Sequence, residues 1–238
     1  MFSYKSRVRY SELDKNRKLD LISIINYFQD CSTFHSEEIG KGIDYLEENN
    51  RVWLMNSWQI EVKRYPTLGE EITISTWPYD FKSMYGYRNF LLCDKDGQEL
   101  AYANSIWVYL DTASNFPVKI TPNDMDGYIL SKPYEMEYAP RKISLPKTLT
   151  TLPGFLVVRS NIDTNNHVNN GQYIQMAQEY IPNDFPIGRV RAEYKMSAVL
   201  GDTIVPMINR NDDTITVVLA NTEGKPFSII EFIKQNLK

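Results

Sequence analysis

Aspartate, asparagine and histidine stand at alternate positions in the run Asn161-Ile162-Asp163-Thr164-Asn165-Asn166-His167-Val168-Asn169-Asn170, which holds one of only 2 histidines in 238 residues. Imidazole titrates near neutrality, a carboxylate can fix its tautomer or attack an electrophile, and a primary amide can hold water or substrate. In an extended chain Asp163, Asn165 and His167 face one side, while Thr164 and Asn166 face the other. Val168-Asn169-Asn170-Gly171 then opens a helix. Its first amides, around Asn170 and Gly171, carry partial positive charge suited to a developing oxyanion. A structural reading competes: Asp and Asn are turn and capping residues, and His167 is a polar neighbour of a cap. On spacing alone the capping reading stands ahead.

The elements that must position this run are repeated. Glu12-Leu13-Asp14-Lys15-Asn16-Arg17-Lys18-Leu19-Asp20 is a weaker copy: with Asp14 set on Asp163, an offset of 149, Asn16 meets Asn165, Leu19 meets Val168 and Lys18 replaces His167. Asp20 and Ser23 open a helix with Leu21, Ile24, Ile25, Phe28 and Cys31 on one face. From Val52 the period shifts to two, giving strands through Trp53–Val62, Ile72–Trp77, Tyr85–Cys93 and Leu100–Leu110, the last two joined at Asp96-Gly97. The second half repeats the order. A strand at Phe155–Arg159 precedes the run, a helix extends from Asn170 to about Tyr180, and strands follow near Val190–Ser197, Thr203–Ile208, Thr214–Leu219 and Phe227–Ile233. Glu223-Gly224 answers Asp96-Gly97, and Leu200-Gly201-Asp202 answers Leu68-Gly69-Glu70. This pattern is an internal duplication. Domains are expected at 1–132 and 151–238, joined over 133–150 by a proline-bearing linker with Arg141, Lys142 and Lys147.

Composition narrows the function. A formal net charge of -4 argues against a general nucleic-acid or bilayer surface. Cys31 and Cys93 are too few for a disulfide framework or a zinc cage. His35, four residues after Cys31, does not complete a metal site. No cofactor is implied: there is no phosphate-cradling glycine loop and no Gly-x-Ser-x-Gly elbow. With no apolar signal core at the start and no run of about 18 apolar residues, a cytoplasmic protein without a membrane span is expected. Trp53, Trp58, Trp77 and Trp107 read more readily as core than as ligand wall.

The chain resembles the acyl-[acyl carrier protein] thioesterases of plants and bacteria. The resemblance is carried by Arg51-Val52-Trp53-Leu54-Met55, Gln59-Ile60-Glu61-Val62-Lys63-Arg64-Tyr65-Pro66, Gly69-Glu70, Thr76-Trp77 and Asp163 to Asn170 followed by Tyr173-Ile174. It implies an α+β double hotdog fold, two tandem antiparallel sheets each wrapped around a helix. It also implies hydrolysis of fatty acyl thioesters on the carrier protein, with Asp163, Asn165 and His167 in the catalytic motif. The first half would hold the acyl chain, with Trp53, Met55 and Trp58 as candidate lining. The plant pattern places a Glu-Cys pair after a Glu-Tyr pair and two basic residues. Here Glu193-Tyr194-Lys195-Met196 is followed by Ser197-Ala198, so a cysteine nucleophile is missing, and Ser197 and Glu193 are only candidate accessories.

On this reading His167 or Asp163 activates water, or Asp163 attacks directly; Asn165 positions the nucleophile, and the amides at Asn170 and Gly171 bind the oxyanion. Arg141, Lys142 and Lys147 are candidates for carrier-protein docking. Hydrolysis of acyl-coenzyme A and a decayed acyl-binding module are the rivals. Both a monomer with an internal pseudo-dimer and a homodimer fit two fused hotdogs.

Overall fold

The Asp20 carboxylate accepts the Ser23 N–H at 2.6 Å and so caps helix α1 (Leu21–Glu38), whose buried face carries Leu21, Ile24, Ile25, Phe28 and Cys31 as the spacing predicts. The structure, a computed structural model, describes residues 1–235. It divides into one unit of Met1–Asn56 with Ile60–Tyr138, and another of Ser57–Gln59 with the chain from Ala139 on. The boundary therefore runs through a single strand.

In the first unit α1 packs on an antiparallel sheet of order β1-β3-β4-β5-β2. The strands are β1 (Phe2–Arg7), β2 (Arg51–Val62), β3 (Glu71–Lys82), β4 (Tyr85–Asp94) and β5 (Glu99–Asp111), with a short α2 (Ile43–Glu48), a two-residue β6 (Phe116–Pro117) and α3 (Pro122–Met125) completing it. Phe2–Arg7 was not expected as a strand, although its alternate residues are half-buried and it pairs with β3 from Phe2↔Thr76 to Arg7↔Glu71. The turn between β4 and β5 rests on Gly97, at φ 80°, where a side chain would be strained.

The second unit repeats the plan. Helix α4 (Asn170–Gln178) packs on β11 (Thr214–Ala220) and β12 (Pro226–Lys234). These belong to the order β9-β12-β11-β10-β7, with β9 (Ile187–Tyr194), β10 (Thr203–Arg210) and the two-residue β7 (Thr150–Thr151); β8 (Phe155–Leu156) pairs with β10. Several expected bounds shift, three of them near the candidate site or its helix. The strand at Phe155 stops at Leu156 because Arg159–Asn161 tightens into a 3-10 turn, α4 ends at Gln178, and β9 ends at Tyr194 rather than Ser197. The strand parity that would align Glu193 with Ser197 is therefore lost.

The segment after Tyr138 is pinned to the second unit. Ile143 is buried against Val218, Ala220 and Ile229, and its N–H donates to Glu193 Oε2 at 2.9 Å. Arg191 Nη2 donates to the carbonyls of Pro140 (2.6 Å) and Lys142 (3.2 Å), and the Ala139 N–H to Gln59 Oε1 (2.9 Å). These bonds make an anchored strap, because each buried polar group must find a partner.

Inside the first unit, His35 meets an arginine. Arg88 Nη1 donates to His35 Nδ1 at 3.0 Å and reaches Thr76 Oγ1 at 3.3 Å, while the guanidinium lies 5.6 Å from the Tyr128 ring centroid. Guanidinium has no acceptor, so Nδ1 is the unprotonated nitrogen. Burial, then Arg88 and the N-terminal amine, lower the His35 pKa to about 4, and burial pushes the Cys31 thiol up to about 12. Unfolded chains bind a proton at this histidine below about pH 6.5, whereas the folded chain does not until about pH 4. Stability present above pH 6.5 therefore falls, by up to ~3 kcal/mol, as the pH drops through that window. In denaturant titrations from pH 7.5 to 4, His35→Gln, which keeps an acceptor but does not titrate, will show a shallower acid-side decline. Equal slopes would refute the assignment.

Candidate active site

Asp163 Oδ1 accepts the N–H groups of Asn165 (2.8 Å) and His167 (3.3 Å). The Asp163 N–H donates to the His167 carbonyl (2.8 Å), and the loop closes on an Ile162↔Val168 bridge with Asn166 at φ 60°. The run is thus a tight carboxylate-capped turn and not an extended strand, which corrects the alternation expected from spacing. The gain of two main-chain bonds by a single oxygen outweighs an extended path here.

The first half builds the same turn. Asp14 Oδ1 accepts from Asn16 (2.8 Å) and Lys18 (3.0 Å), Asp14 N–H meets the Lys18 carbonyl (2.8 Å), Leu13 bridges Leu19, and Arg17 takes φ 61°. The correspondence continues outward. Leu19 N–H reaches the Pro66 carbonyl (2.7 Å) as Val168 N–H reaches that of Ala198 (2.9 Å). Val8 is clamped by Gly69 and Glu70 as Val157 is by Gly201 and Asp202. The aspartate therefore belongs to the scaffold in both halves, and among the positions where the two turns differ is 167 against 18, histidine against lysine.

The side chains that could act stand apart from this scaffold. Asn165 is exposed and His167 half-buried, and among the described residues neither the imidazole nor the Asn165 amide makes a hydrogen bond. At the helix start, Asn169 Oδ1 takes the Gly171 N–H at 2.8 Å. That leaves Asn170 N–H, rather than Gly171, without an acceptor among the described residues. Ser197 is exposed, one residue from the Ala198 carbonyl that holds Val168. Glu193 is buried and committed, with one oxygen on Ile143 N–H and the other paired with Lys195.

Two tyrosines that sequence reasoning did not single out as supports hold this corner. Tyr173, on α4, accepts the buried Ala198 N–H at 2.7 Å, and Tyr194 Oη donates to the Asn170 carbonyl at 2.9 Å. Burial pushes the Tyr173 phenol up to about 12 and also raises that of Tyr194 well above the ordinary phenol range, so both stay neutral. Their signal was available as two tyrosines in apolar-facing positions of a helix and a strand, but their partners are distant in sequence.

The remaining candidates lie elsewhere. Trp53 stacks on Tyr109 with centroids 4.5 Å apart and leaves 3.1 Å for a Cβ at Gly86, and Met55 is buried; both are in the first unit. Trp58, also buried, is in the strand segment that groups with the second. On the strap, Arg141 is half-buried while Lys142 and Lys147 are exposed.

Two tandem antiparallel sheets, each packed on one helix and each entered through the same capped turn, define a double hotdog protein. Solved structures share this fold: an acyl-ACP thioesterase from Bacteroides thetaiotaomicron has a TM-score of 0.87 at 23% identity, covering 98% of this chain and 97% of that one. The 12:0-ACP thioesterase from Umbellularia californica has 0.86 at 18%, covering 98% and 96%. The acyl-ACP thioesterase N-terminal domain matches residues 1–128 and the C-terminal domain residues 146–221, and the chain belongs to that family. A chloroplastic acyl-[acyl-carrier-protein] hydrolase of Cuphea viscosissima is 29% identical over 198 residues, 77% of this chain and 47% of that protein. Oleoyl-acyl carrier protein thioesterase 1 of Arabidopsis thaliana is 26% identical over 203 residues, 76% and 56% respectively. The chain spans about half the length of the curated relatives it matches.

Because both aspartates cap main chain, Asp14→Ala and Asp163→Ala will each cost roughly 1 kcal/mol in urea unfolding. Tyr173→Phe, which strands the Ala198 N–H, will cost about 1–3 kcal/mol. A cost confined to Asp163 would contradict the shared scaffold.

Proposed function

We propose that this chain hydrolyses the thioester of fatty acyl-[acyl carrier protein], releasing free fatty acid, as the names of its relatives suggest. The observation that carries the reading is the substitution at one position of a repeated turn: the frame that ends in Lys18 in one half presents His167, with no hydrogen-bonded partner among the described residues, in the other.

A thiolate leaves readily, since ordinary thiols have pKa near ~8.5, so the protein must chiefly activate an oxygen nucleophile and hold the oxyanion. His167 takes the proton of an attacking water. Asp163 Oδ1 accepts two N–H groups and fixes the turn from which His167 projects. Asn165 stands two residues away and holds the water or the substrate. Asn170 N–H, at the positive end of α4, receives the thioester oxygen as charge develops. Ser197 is a hydroxyl at the position where the plant pattern has its acid, and it serves as a further water ligand. Glu193, fully paired, anchors the strap.

His167→Lys gives the turn the residue its other copy already accommodates, so the variant will fold. Its turnover on acyl-carrier substrates, followed by thiol release, will drop ~10²- to 10⁴-fold, the contribution of a positioned base. Near wild-type turnover would exclude His167 as the base. Running matched acyl-coenzyme A substrates alongside decides between the two thioester carriers.

A further inference from the structure

The duplicated frame provides an internal control for the surface around the candidate site. Val157 is buried at 2% exposure, and its N–H and carbonyl are clamped to the Asp202 carbonyl (2.9 Å) and the Gly201 N–H (3.1 Å). Its neighbours Leu156 and Val158 are extended and therefore share the opposite, outward face, 61% and 51% exposed. Across the clamp, the turn Val199–Asp202 leaves Val199 43% and Leu200 54% exposed. The corresponding positions in the first half are Arg7, Arg9, Thr67 and Leu68. There Arg7 pairs with Glu71 and Arg9 with Glu12, and of the four only Leu68 is an exposed apolar side chain. In the second half three of the four have become apolar, and the acids Glu71 and Glu12 have become Thr203 and Asn161.

One frame thus carries two ion-paired arginines beside an exposed Leu68 in one half, and a rim of four exposed apolar side chains in the other. The rim adjoins the turn that presents His167: Val158 leads into the 3-10 turn Arg159–Asn161, and Val199 follows the Ala198 carbonyl that holds Val168. Four exposed apolar side chains on two backbone-bonded segments are the kind of surface that marks a contact. Beside it Arg159 is exposed and in no ion pair among the described residues, where the first half has Tyr10. Since the chain carries net charge -4, a local cation set in apolar surface is what would hold an acidic partner against the overall field.

We propose that Leu156, Val158, Val199 and Leu200, with Arg159, form the surface on which the carrier protein docks, through a face bearing apolar side chains and a carboxylate, to deliver its thioester to His167. This rests on the function proposed above. It places docking at the rim and not at Arg141, Lys142 and Lys147 of the strap.

The test compares wild type, the double variant Leu156→Asp with Leu200→Asp, Arg159→Glu, and Arg141→Glu with Lys142→Glu. Each is assayed on one acyl group carried by the carrier protein or by free pantetheine. Rim variants will raise KM for the carrier substrate at least tenfold, with kcat and the acyl-pantetheine reaction within twofold of wild type. Equal losses on acyl-pantetheine would overturn the proposal, because the rim would then line the path of the arm or acyl chain. So would loss of carrier preference only in the strap variants, no effect in the rim variants, or a dimer that dissociates in the rim variants, which would make the rim a contact between two copies. Arg159→Glu, at an exposed position, keeps the test open if the double variant fails to fold. If wild type turns over neither substrate, the proposed function fails. Docking is then read from binding of a non-hydrolysable amide-linked acyl carrier, where equal affinity of wild type and rim variants overturns it.

Discussion

A single carboxylate oxygen accepting two main-chain N–H groups closes the turn at Asp163, and again at Asp14. Everything local hangs on that closure. It brings Ile162 opposite Val168, aims the chain into the α4 cap at Asn169, and leaves Val168 N–H directed at Ala198. The turn fixes the backbone without using the side chain at its fourth residue after the aspartate. That position is free to vary without cost to the fold, and the two halves hold lysine and histidine there. Chemistry can be gained or dropped at such a site while the scaffold stays intact.

The larger plan was legible because it depends on local signals. The N-cap at Asp20, the apolar face from Leu21 to Cys31 and the Gly97 and Gly224 turns at positive φ all follow from residue chemistry at short range. The repeat at an offset of 149 made the capped turn recognisable as a unit. Its shape was misread, since alternation of polar residues is also what a carboxylate-capped turn produces. The strand expected to run to Ser197 was misread for a similar reason: strand-like composition says little about where a strand ends, and β9 stops at Tyr194.

What stayed out of reach depends on partners far apart along the chain. His35 and Arg88 are separated by 53 residues, and nothing near either announces the other. Tyr173 and Ala198 meet only after the sheet has formed, and the strap over Pro140–Ile143 looks like a linker until Arg191 and Glu193 are seen to receive it. Composition reads proline and lysine as solvated. Burial of Ile143 and the two side chains waiting for its neighbours decide otherwise.

The boundary that runs through β2 has a practical corollary. Gln59 lies in the strand segment that groups with the second unit and takes the Ala139 N–H, so that unit is discontinuous in sequence. A fragment starting at Ala139 would lack a strand segment of its own unit. Sharing the capped turn has thus not left each copy as an uninterrupted stretch of sequence: excising the second at Ala139 would leave part of it behind.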